Sequence, residues 1–114
     1  MAVDHLDKDV LTHLRDVMEG EYRTLLDTFL EDSQERVEAL RKARDTKVLG
    51  EIAHSFKGSS SNLGAVRLVE LCHRLETEAA NQSLQALEPL VDEIGDEFAF
   101  VRPLYELERQ RYPF

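Results

Sequence analysis

His54, Lys57 and Gly58 stand in the stretch AHSFKGSSSNLG (53–64), where an imidazole is followed by an ammonium and then by a residue with no side chain. Residues three and four apart are neighbours on a helix surface, so a helical backbone gathers all three on one side. Imidazole is a good nucleophile near neutral pH, its ordinary pKa being about 6.5. If it attacks phosphorus, the product gains close to two negative charges, which a neighbouring cation stabilises. At ~4 Å near a protein surface that attraction is on the order of 4 kcal/mol before desolvation and side-chain entropy reduce it. Ser59, Ser60 and Ser61 add hydroxyls, but no acid–base triad can be assembled around them from the sequence.

The direction of His54 follows from helical pitch. With Leu49 set at zero and ~100° per residue, Ile52, Ala53, Phe56, Ser60 and Leu63 fall within roughly 60° of it and define a core face. His54 lies at about 140°, Lys57 at about 80°, Gly58 at about 180° and Ser61 at about 120°, so the imidazole points away from the core. Gly58 sits within the helical pattern at a cost of ~1 kcal/mol relative to alanine, and Gly50 lies one turn on the other side. A missing side chain one turn from the imidazole leaves clearance for an incoming partner. Gly50, in the first turn or so of its helix, also has a purely local explanation.

Two Glu-x-x-His pairs, EIAH (51–54) and ELCH (70–73), raise a metal reading, since such pairs line the interior of di-iron helical bundles. The same arithmetic sends Glu51 and Glu70 to about 200° and His73 to about 140°, all outward. No glutamate falls in the apolar stripes of the second or last helix, so the set lacks its remaining ligands. His73 reads as a solvated residue, His5 and His13 as incidental, and Cys72 as core.

The elements that must hold these residues are all helical, because apolar spacing of three and four recurs and strand-like alternation does not. A short first helix carries Leu6, Val10, Leu14 and Val17, with Asp7 as N-cap and Gly20 as terminator. A long second helix is expected over 21–44. A third follows a break at 45–47, capped by Asp45 or Thr46 and ending near Gly64, which suits a left-handed position. The fourth spans about 65–80. After a turn at 81–83 capped by Ser83, the last carries Leu87, Val91, Ile94, Phe98, Val101 and Tyr105 in a near-heptad seam. Pro89 is tolerated near its start, whereas Pro103 should kink the helix or end its regular part. Short connections make neighbours antiparallel: an all-α, up-down-up-down four-helix bundle with a short N-terminal lid helix, one domain over 1–114.

The chain's 114 residues suffice for one core, and the net charge of −9 argues against binding the phosphates of nucleic acid. No apolar run approaches the ~20 residues of a membrane span, and the N-terminus lacks the blocks of a signal peptide. One cysteine cannot form an internal disulfide, which fits a reducing cytoplasm. The charge-rich runs 31–45 and 106–111 read as solvated helix faces, either of which can steer a partner. A protein partner and a monomeric chain are the expectation.

His54, Lys57, Gly58, Ser59 and Ser60, followed by Leu68, Leu71, Cys72, Leu75 and Glu76 in LVELCHRLE (68–76), resemble the motif of histidine-containing phosphotransfer domains, and the likeness in helix order covers the whole chain. The resemblance implies a stand-alone bacterial phosphorelay intermediate without ATP-binding or kinase machinery. His54 would take a phosphoryl group through Nε2 from the aspartate of one receiver domain, as in a hybrid sensor histidine kinase. It would pass the group to the receiver aspartate of a response regulator. It further implies that Lys57 neutralises charge, that Gly58 gives access, and that the receiver supplies Mg²⁺, this chain holding no cofactor or metal of its own. Some members orient the histidine with a glutamine on the next helix. The nearest position here is Glu76, whose carboxylate can orient a ring N–H but would repel the phosphorylated product. A silent helical adaptor that docks on receivers, and a metal-binding bundle, are the alternative functions.

Overall fold

The computed structural model describes residues 4–112, all of whose regular elements are helical. They are α1 (Lys8–Met18), a single 3₁₀ turn (Glu19–Glu21), α2 (Tyr22–Lys42), α3 (Thr46–Asn62), α4 (Val66–Glu78) and α5 (Leu84–Arg111). The ends of the expected 1–114 span, residues 1–3 and 113–114, lie outside the described residues. Each of α2–α5 packs against two of the others, α2 on α3 and α5 and α4 on α3 and α5, which closes a four-helix ring. The stripes meet in one core, with Leu26, Leu49, Phe56, Leu68, Leu75, Leu87, Ile94 and Val101 among its fully buried members.

Local chemistry sets the boundaries that matter for α3. The Asp45 carboxylate accepts the Val48 N–H at 2.8 Å, one of the donors a helix start leaves unpaired. At the other end Gly64 takes φ +72, a left-handed backbone that glycine adopts without steric cost. The Gly64 carbonyl accepts the Asp7 N–H at 2.8 Å, which hangs the start of α1 on the α3–α4 corner. Tyr105 of α5 donates its buried hydroxyl to the Leu63 carbonyl at 2.7 Å, so that corner is held from both sides. Ser83 caps α5 through the Ala86 N–H.

Four expectations need correction. Gly20 does not terminate α1: the left-handed residue is Glu19 (φ 49), whose N–H closes on the Arg15 carbonyl, and Gly20 falls inside the 3₁₀ turn. Pro103 does not end α5, which runs on to Arg111 with the proline on its exposed side, where the i−4 carbonyl that loses its donor can be solvated. Glu97, three residues beyond Ile94 and four before Val101, does fall on the buried stripe of α5, with 7% exposure. Its carboxylate is compensated by His5, Nδ1 to Oε2 2.7 Å, and the ring of His5 lies 4.1 Å from that of Phe100. His5 is therefore not incidental; it pins the segment leading into α1 to the flank of α5. An apolar-only count of α5 overlooks this pair, because the partner arrives from 92 residues away.

Candidate functional site

His54 projects from the middle of α3, its side chain 72% exposed, while Ala53 and Phe56 beside it are fully buried. The helical arithmetic that turned it outward therefore holds, and it holds for Ser60, which is buried in the core. Gly58, one turn on, is exposed, and a Cβ built there meets nothing within 4 Å. The space over that turn is open. Gly50 differs: a Cβ there would lie 3.5 Å from that of Ala79, so it faces α4 rather than the open side.

Glu76 reaches across from α4. Its Oε1 lies 2.7 Å from His54 Nδ1 and its Oε2 lies 2.5 Å from Lys57 Nζ, so one carboxylate joins both. The Lys57 ammonium, and after it His54, hold the Glu76 carboxyl below the usual carboxylate range; its partial burial opposes them. Lys57 is thus not the free surface cation expected from its angle. It is half-buried along the α3–α4 seam and already paired. Glu76, the position matched to that glutamine, lies within hydrogen-bond distance of Nδ1; in the tautomer that carries its proton there, Nε2 keeps the free lone pair.

The opposite flank of α3 is held from α2. Arg36 donates to Ser55 Oγ at 3.1 Å and to Ser59 Oγ at 3.3 Å, while Ser59 donates in turn to the Phe56 carbonyl. Arg36 belongs to the run read as a solvated face, and spacing along one helix carries no signal for a contact that depends on the register between two. Cys72 is buried as expected, and desolvation pushes its thiol up to about 12, which makes it inert as a nucleophile. His73 and His13 are exposed. Both Glu-x-x-His pairs lie on the surface, and among the described residues no three His, Cys, Asp or Glu side chains are grouped to hold a metal ion. No helix of the described residues is long and apolar enough to cross a membrane.

Comparison with known proteins follows the same lines. The Hpt domain family profile matches residues 24–103. Among solved structures, the chain is similar to histidine-containing phosphotransfer protein B (HptB) from Pseudomonas aeruginosa PAO1, with 48% identity and a TM-score of 0.90 over 97% of this chain and 99% of that one. The HPT domain from the Hpt sensor hybrid histidine kinase from Shewanella shares the fold, with 21% identity and a TM-score of 0.78 over 93% and 94% of the two chains. No match was found among curated proteins.

Proposed function

Given that the chain belongs to the Hpt domain family, whose members are phosphotransfer intermediates rather than kinases, we propose that His54 is the residue that carries the phosphoryl group. The group would come from the aspartate of one receiver domain and leave to that of another. The observation that supports this reading is the geometry of the ring: Nδ1 is engaged by Glu76 at 2.7 Å while the side chain is 72% exposed, so Nε2 is the ring nitrogen left for the phosphoryl group. In the step, the Nε2 lone pair attacks the phosphorus of an aspartyl phosphate, an N–P bond forms, and the P–O bond to the aspartate breaks. The aspartate departs as a carboxylate with the electron pair. The Nδ1 proton stays on the ring, which becomes positive as Nε2 bonds to phosphorus, and the Glu76 carboxylate stabilises that charge. This answers the objection that Glu76 repels the product: the ring cation stands between it and the phosphoryl group.

Lys57 supplies positive charge on the same helix side, and Gly58 leaves room for the receiver surface to close over the imidazole. The receiver brings Mg²⁺ and the acidic pocket; this chain contributes nucleophile, charge and clearance. It acts as a cytoplasmic monomer between a hybrid sensor kinase and a response regulator. Incubation with a phosphorylated receiver should place an acid-labile, alkali-stable phosphate on the wild-type chain and none on His54→Gln, with the melting temperature unchanged. Label retained on the variant would move the site, to His73 first. A chain that binds receivers yet never takes label would be an adaptor instead.

A further inference from the structure

The charge inventory around His54 does not close with the residues assigned so far. Lys57 and Glu76 form a pair that is neutral as a unit. A phosphoryl group adds about two negative charges and the ring cation returns one, so roughly one negative charge is left over. Arg36 is a cation held at this edge of the site without a counter-charge. Its guanidinium rests on two neutral hydroxyls, those of Ser55 and Ser59. It takes part in none of the ion pairs among the described residues, although Asp32, Glu35 and Glu51 border the same groove between α2 and α3.

Its placement relative to the nucleophile is direct. With His54 at zero, Lys57 lies about 60° to one side of α3, and Ser55 and Ser59 lie about 100° and 140° to the other. Gly58 falls between, at about 40°, and nothing stands over it. The absent side chain thus leaves a corridor from the Arg36 guanidinium to the imidazole. The hydroxyls are neutral acceptors, whereas a phosphoryl group offers the guanidinium a full counter-charge and bidentate geometry.

We propose that Arg36 is the second cation of the phosphotransfer site: it leaves Ser55 and Ser59, crosses the gap over Gly58 and binds the phosphoryl oxygens on His54. This rests on the reading of His54 as the acceptor. Lys57, held by Glu76, then flanks the product on the α4 side, and Arg36 brings the unbalanced positive charge from the α2 side.

Phosphoramidate, a small phosphoryl donor that needs no docking surface, is the probe. Arg36→Ala should slow labelling of His54 severalfold at low salt, Arg36→Lys should restore part of the rate, and the deficit should shrink near 1 M salt, where the screening length is ~3 Å. The double variant Ser55→Ala/Ser59→Ala, which removes the perch and keeps the charge, should label at least as fast as wild type. In the wild type the Arg36 Nε–H resonance should shift on phosphorylation. Equal labelling of Arg36→Ala and wild type overturns the proposal. So does a loss in the double variant matching that of Arg36→Ala, which would make Arg36 an interhelical clamp. Absence of label on His54 in the wild type overturns the acceptor reading itself, and this one with it.

Discussion

His54 Nδ1 and Glu76 Oε1 lie 2.7 Å apart across the α3–α4 seam, and the second oxygen of the same carboxylate holds Lys57. Because the folded carboxyl is held below its ordinary value of 4.5, its contribution is fully present above that value. It is lost only as pH falls through the lower, folded one. The Nδ1–H···carboxylate signature in proton and nitrogen NMR should therefore persist from neutral pH down to about pH 5 and collapse only below the normal carboxylate range. Glu76→Gln should keep the ring oriented but slow phosphoryl acceptance severalfold, since a neutral acceptor stabilises the ring cation less; Glu76→Ala should lose more. Rates indistinguishable from wild type in both variants would remove Glu76 from the reaction.

Lys57→Ala should lower the ratio of phosphorylated chain to phosphorylated receiver at equilibrium by a factor of roughly five, about 1 kcal/mol for a partly screened charge. Higher ionic strength should narrow the gap between wild type and variant. Coincident ratios at low salt would mean that Lys57 serves only to seat Glu76.

Gly58→Leu separates access from stability. Leucine is the better helix former by up to ~1 kcal/mol, and a Cβ at this position meets nothing within 4 Å, so the melting temperature should hold or rise. Transfer from a receiver should fall sharply, because the side chain fills the clearance one turn from the imidazole. Unchanged transfer would show that the glycine is not there for the partner.

Tyr105→Phe tests the corner that ends α3. The hydroxyl is buried and its loss strands the Leu63 carbonyl, a change that costs ~1–3 kcal/mol. Denaturant unfolding should register that loss while labelling of His54 stays normal. A stability equal to wild type would mean that the carbonyl finds another donor.

Most of the bundle was legible because α2–α5 carry their own periodicity and three helices carry capping side chains. Asp7, Asp45, Ser83 and the turn residue Gly64 all act where their types predict, although in α1 Leu11 rather than Val17 is the buried residue. The outward turn of His54 and the inward turn of Ser60 follow from one helix's pitch, so they too were readable. What escaped depends on pairs of helices. Lys57 looked free because its counter-charge sits on α4, and Arg36 looked solvated because its hydroxyl partners sit on α3. Glu97 was missed on the stripe of α5 because the stripe was counted from apolar residues alone, and its partner, His5, precedes the first helix. Helical angle gives direction, but the register between helices decides what lies in that direction.

The turn at Gly64 bears on where the chain can tolerate added length. Doubling a flexible connection costs only ~0.6 kcal/mol of closure entropy, so the exposed turn at 80–82, beyond the end of α4, should accept extra residues readily. Residues 63–65 have no such slack. A Cβ at Gly64 would lie 2.9 Å from the Asp7 carbonyl oxygen, and the Leu63 carbonyl is already bound to Tyr105. Because His54 and Glu76 sit on the two arms joined by that corner, an insertion there would slide one arm against the other and part the carboxylate from the imidazole. An insertion scan read by folding and by label on His54 should find the two connections at opposite extremes; equal tolerance would show that the register of α3 and α4 is set elsewhere along their seam.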